Sequence, residues 1–176
     1  IFAVQVCADY ARSGQIDLFF APLPINEQLY DFVPVYTEQV MLCMPPEHPL
    51  VSEFSKKSSL TLEDIALLKD DNFITMNPQM RIAKLAHTIC DHAGFSPHII
   101  LESNSVESIF ALTLAGLGCA FLPDSVVKCP TFSASPTAFS LAMPETRRNV
   151  VLAYRKGCYL SQAAKELIEI IRSELS

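Results

Sequence analysis

Phe73-Ile74-Thr75-Met76-Asn77-Pro78 and Ile99-Ile100-Leu101-Glu102-Ser103-Asn104-Ser105 each carry a short apolar strand straight into residues that start helices. After the first, Asn77 is an N-cap residue with Pro78 at the first helical position. Ile82, Leu85, Ala86, Ile89 and Ala93 then recur at helical spacing until Gly94 stops the run. After the second, Asn104 with Glu107 opens a helix through Ile109, Phe110 and Thr113, ended by Gly116. Cys119 to Leu122 reads as a third strand. This alternation predicts an α/β chain with mainly parallel strands.

Upstream, the pattern continues. Phe2 to Val6 reads as a strand, followed by a short helix that Asp9 caps and Gly14 ends. Ile16 to Ala21 is a nearly unbroken apolar run, as expected of a parallel strand covered on both faces. Phe32 to Tyr36 and Gln39 to Met44 are two further strands. Pro45 to Ser59 is a loop, and Thr61 with Asp64 opens a helix. Downstream, Cys129 to Pro144 is a Ser/Pro/Thr-rich surface excursion with one short strand near Phe139 to Ala142. Val150 to Tyr154 is a strand. Ser161 then caps a final helix with Ala164, Leu167, Ile168, Ile171 and Leu175 on one face.

Composition narrows the function classes. Half of the 176 residues are hydrophobic and 18% are charged, a balance that folds rather than stays disordered. A net charge of −6, with no Lys/Arg run, argues against DNA contact by these residues. No apolar run is long enough to span a membrane. The chain opens without Met and without a signal peptide, so an N-terminal truncation is expected. Six scattered cysteines without a C-x-x-C pair point to reduced thiols and a cytoplasmic protein.

In open α/β sheets ligands bind beyond the carboxyl ends of strands, where helix N-termini present free N–H groups. Two such places follow from the sequence, Thr75 to Pro78 and Glu102 to Ser105. Thr75, Asn77, Asn104 and Ser105 add short polar groups that would orient a ligand, and Arg81 could pair with a carboxylate. The plain alternatives are ordinary caps and a solvated arginine. His87, Cys90 and Asp91 share a helix face, but no second Cys/His pair accompanies them, so that cluster reads as structural and no metal is expected. There is no G-x-S-x-G and no P-loop, and Gly116-Leu117-Gly118 precedes a strand instead of following one. No catalytic set can be assembled, and no cofactor is called for.

Three fragments in order resemble the effector-binding domain of LysR-type transcriptional regulators. They are Gly14-Gln15-Ile16-Asp17-Leu18-Phe19-Phe20-Ala21-Pro22, Leu42-Cys43-Met44-Pro45-Pro46-Glu47-His48-Pro49-Leu50 and Ala115-Gly116-Leu117-Gly118-Cys119-Ala120-Phe121-Leu122-Pro123. The helix closed by Ala93-Gly94 and the ending Tyr154-Arg155-Lys156-Gly157 add to the likeness. It implies two Rossmann-like α/β subdomains joined by two crossover strands, the type 2 periplasmic-binding-protein fold. Subdomain I would be residues 1–45 and 154–176, and subdomain II residues 46–153. A small-molecule effector would bind between them, against Ala21, Pro22 and Leu23 on one side and Thr75, Met76, Asn77, Arg81, Asn104 and Ser105 on the other.

The resemblance further implies hinge motion near Met44-Pro45 and Ala153-Tyr154 and a homodimer or homotetramer. DNA would be bound only through a winged helix-turn-helix domain outside this sequence. The first strand of the fold would also lie upstream of Ile1. Peroxide-sensing members use two cysteines; Cys90 falls at the second position, but Arg81 occupies the first, so a thiol switch is disfavoured. A solute-binding protein of a transporter is the alternative with the same fold, and an enzyme on this scaffold is a third class.

Overall fold

The computed structural model describes residues 4–128 and 135–174. In chain order these form α1 (Val4–Ser13), β1 (Leu18–Pro22), β2 (Tyr30–Met44), α2 (Val51–Phe54), α3 (Leu62–Ala66), β3 (Asn72–Met76) and α4 (Arg81–His92). Then come β4 (His98–Ser103), α5 (Val106–Leu114), β5 (Ala120–Pro123), α6 (Asp124–Val127), β6 (Thr137–Phe139), β7 (Arg147–Arg155) and α7 (Gln162–Glu174). The chain divides into two compact units: residues 1–38 with 148–176, and residues 39–147.

Unit 1 is a sheet with a helix on each face. β7 lies between β1 and β2, and β1 runs antiparallel to it, pairing Leu18 with Tyr154 through to Pro22 with Val150. Strand alternation then sorts the side chains. Phe19, Ala21, Tyr30, Val151 and Ala153 pack with Ala11, Cys7 and Ala8 of α1. Leu18, Val33, Val35 and Leu152 pack with Ile168 and Ile171 of α7. Ser161 starts α7 by accepting the Ala164 N–H at 3.2 Å and donating to Asp17 at 2.9 Å.

Unit 2 holds one continuous core. β3 and β4 are parallel, and the C-terminal half of β2 pairs antiparallel with β5 and β6. Phe73 bridges to Cys119 beside them. α4 buries Ile82, Ala83, Ala86, Ile89 and Cys90, and α5 buries Val106, Ile109, Phe110 and Thr113. Phe73 stacks nearly parallel on Phe121 with ring centres 6.1 Å apart. Both helices end as expected of a glycine in the left-handed region. Gly94 has φ +87, and the Gly94 and Phe95 N–H groups close onto Asp91 and Cys90. Gly116 does the same for α5, onto Thr113 and Leu112.

Several sequence expectations are corrected. Of the strand expected over Phe2 to Val6, residues 4–6 are helix, because Cys7, Ala8 and Ala11 fall on one helical stripe that packs on β1; Phe2 and Ala3 lie outside the described residues. Ile16 to Ala21 is not a parallel strand covered on both faces; β1 is antiparallel to β7, and Phe20 is 55% exposed. The two strands expected between Phe32 and Met44 are one, β2. The strand near Phe139 starts earlier and ends there, at Thr137–Phe139. Pro45 to Ser59 contains the short helix α2, which buries Phe54. Leu167 is exposed rather than on the buried face of α7. Leu175 and residues 129–134 of the expected excursion lie outside the described residues.

Candidate functional site

The parallel ladder of unit 2 brings its two predicted ligand segments together. Met76 is in register with Ser103, and the Asn77 N–H donates to the Ser103 carbonyl at 3.1 Å, so both strand ends meet side by side. Thr75 and Met76 are buried at the end of β3, while Asn77 is half-buried just beyond it. Asn104 stands exposed at the bend after β4, and Ser105 begins α5. Thr75 also lines a small crevice with Phe73, Ile74, Ala86, His87, Cys90 and neighbours. His87 and Cys90, which share a helix face of α4, both line this crevice.

The two helix starts differ from expectation in a way that matters chemically. Asn77 does not cap α4. Its Oδ1 accepts the Gln79 N–H at 3.1 Å, its carbonyl accepts the Met80 N–H at 2.8 Å, and Met80 is the N-cap residue with no side-chain hydrogen bond. A turn through Pro78 and Gln79 is thereby inserted before the helix, because an asparagine side chain folds back on its own backbone as readily as onto a helix. Arg81 is consequently the first residue of α4, exposed, instead of lying one turn inside it.

α5 is capped by Ser105, not Asn104. The Ser105 Oγ accepts the Ser108 N–H at 3.1 Å and donates to Glu107 at 2.8 Å. Glu107, at the second helical position, has its carboxyl held below the usual range by its own backbone N–H and then by the Ser105 hydroxyl. A carboxylate therefore already sits at the positive end of α5. The start of α4 carries no acidic side chain in its first turn and no side-chain cap. Of the two expected anion sites, α4 is the open one.

Ala21, Pro22 and Leu23 lie in unit 1. Ala21 is buried in β1, Pro22 closes the strand opposite Val150, and the Leu23 N–H donates to the Asn149 carbonyl at 2.8 Å. Among the described residues, Cys7, Cys43, Cys90, Cys119 and Cys158 are free thiols, and no group of His, Cys, Asp and Glu is arranged to hold a metal ion. Burial pushes the Cys90 thiol up to about 12, with Asp91 adding to the rise. No helix among the described residues is long and apolar enough to cross a membrane.

The model of the LysR substrate binding domain matches residues 4–176. The HTH-type transcriptional regulator YwbI of Bacillus subtilis, itself uncharacterized, is 30% identical over 163 residues, covering 92% of this chain and 51% of YwbI. This chain spans about half the length of the curated relatives it matches. The regulatory domain of Synechocystis PCC6803 CcmR, solved in complex with 2-PG, superposes with a TM-score of 0.79 at 17% identity, over 96% of this chain and 78% of CcmR. The effector binding domain of QuiR, in complex with shikimate, gives 0.76 at 19% identity, over 98% and 78%. The fold is therefore the type 2 periplasmic-binding-protein-like one, two α/β units joined through β2 and β7, with antiparallel strands more numerous than the sequence suggested.

Proposed function

Because this chain belongs to the family of LysR substrate-binding domains, we propose that it is the effector-sensing module of a LysR-type transcriptional regulator. In this reading it binds a small anionic metabolite and passes that event to a DNA-binding helix-turn-helix domain elsewhere in a longer polypeptide. The observation that carries the anionic preference is the start of α4: an uncapped helix N-terminus, next to Thr75 and Asn77, with Arg81 at its first position. Free N–H groups and the helix dipole stabilise a carboxylate or phosphate there, and Arg81 adds a donor fork. Asn104 contributes from the adjacent strand end. Ala21, Pro22 and Leu23 enter the reading on the family resemblance alone.

The CcmR and QuiR structures hold 2-PG and shikimate, which supports a small-molecule effector for this chain. The family match favours a regulator over a transporter's solute-binding protein. We also infer a cytoplasmic homodimer or homotetramer, in keeping with regulator relatives and a net charge that leaves DNA contact to another domain.

Calorimetry with a panel of small acids and their neutral amides tests the reading. Acids should bind and amides should not. Asn77→Ala should weaken that binding by more than its effect on stability, which for a lost local cap-type bond is about 0.5–2 kcal/mol. Preference for the amides would overturn the anionic assignment, and unchanged affinity would return Asn77 to a turn residue.

A further inference from the structure

The chain passes between its units at two points, 38/39 on β2 and 147/148 on β7. Beside both points, within unit 1, sits one ion pair: Arg148 donates from Nε and Nη2 to the same carboxylate oxygen of Glu38. Their side chains are 24% and 7% exposed, making this the most shielded lysine or arginine ion pair among the described residues. A pair so placed is little screened, and losing one partner strands the other's charge. One residue further into unit 1, the Thr37 hydroxyl donates to the Asn149 Oδ1 at 2.9 Å, a second tie between the same strands.

The neighbouring residue is anchored the other way. In unit 2 the Gln39 N–H donates to Asp124 Oδ1 at 3.0 Å, and its side-chain amide donates to the Leu141 carbonyl at 3.4 Å. Glu38 thus pairs within unit 1 and Gln39 bonds within unit 2, on either side of the 38/39 crossing.

We propose that Glu38 and Arg148 form a clasp that locks the two crossover strands to each other where both leave unit 1. With the clasp closed, a rearrangement of unit 2 turns β2 and β7 together and reaches the β1–β7–β2 sheet as one movement. With it open, each strand responds alone. Its use in signalling rests on the effector-sensing reading; the lock itself does not, so it is tested without any effector.

Hydrogen exchange read by mass spectrometry would compare the wild-type chain with Glu38→Gln, Arg148→Met and the double reversal Glu38→Arg with Arg148→Glu. Peptides covering 36–39 and 147–150 should exchange roughly tenfold faster in each single variant. Peptides from β3, α4 and β5 should not change, and the reversal should recover protection. Unaltered exchange at the crossover would overturn the clasp. So would an acceleration spread evenly over both units, the mark of a plain contribution to global stability. Should the single variants not fold, Glu38→Asp and Arg148→Lys keep the charges but shift the geometry. A smaller acceleration confined to the crossover supports the clasp, and none refutes it.

Discussion

Unit 2 gathers its apolar side chains into one cluster running from Val40 to Met143, whereas unit 1 splits its own into two small clusters on opposite faces of a single sheet. The difference follows from layering. A sheet with one helix on each face buries only what two helices can cover, and Phe20, Leu167 and Ile170 remain exposed in unit 1. In unit 2, α4 and α5 start from neighbouring parallel strands and share a core with β2 and β5, so side chains such as Phe54, Phe73 and Phe110 are fully enclosed. The teaching is that the better-packed unit is also the one presenting the open helix start of α4. The buried core holds the polar strand ends of β3 and β4 side by side.

The largest expected effect sharpens this contrast. Phe73→Ala removes a ring packed between Phe95 and Phe121 and should cost about 3–5 kcal/mol in urea unfolding. Phe19→Ala in unit 1 loses an edge-to-face contact with Tyr30 but leaves a thinner layer that can collapse, so about 1.5–3 kcal/mol is expected. Equal losses would break the comparison.

Next comes Gly118→Ala. A Cβ there would stand 2.6 Å from the Asn72 carbonyl oxygen, part of the backbone seam between β3 and the segment entering β5. Overpacking against backbone should cost about 1–3 kcal/mol, read as a lower urea midpoint at unchanged slope. An unaffected midpoint would mean the seam is looser than the rest of the unit 2 core.

The smallest effect per residue concerns alkaline pH. Burial pushes Cys43, Cys90 and Cys119 of unit 2 up to about 12, with Cys119 adding to the rise at Cys43, Asp91 at Cys90 and Asp71 at Cys119. A thiol whose pKa is raised on folding stabilises the fold below its unfolded value near 9 and loses that stability as pH climbs toward 12. Unfolding measured at pH 8 and pH 10 should therefore differ by roughly 1 kcal/mol for each thiol. Cys119→Ala should narrow the gap. A flat profile would break the assignment of a tight core to unit 2.

Much of this was legible from sequence, and the misreadings are instructive. The stops at Gly94 and Gly116 were readable because a left-handed residue after a periodic run is a local signal. The tandem β3–α4–β4–α5 order was readable for the same reason. The helix from Val4 was misread as a strand because a short apolar run has no decisive period until its neighbours show which stripe is covered. Asn77 and Asn104 were read as caps because the residue type favours caps, turns and bends alike. Only the packed chain chose a turn for the first, a bend for the second and Ser105 as the cap. Glu107, which fills the positive end of α5, was visible as a helix-start residue but not as a competitor for a ligand.

The stops at Gly94 and Gly116, the apolar face of α4 and the β3–α4–β4–α5 order depend on residues a few positions apart, so the sequence alone carried them. It also carried the family likeness, spread over fragments that need no contact to be recognised. The tertiary structure alone decided that β1 runs antiparallel to β7 and that Glu38 meets Arg148. It alone left the start of α4 open while a carboxylate occupied the start of α5. Strand direction and ion pairing join residues far apart in the chain, and no local preference distinguishes one distant partner from another until packing brings them together.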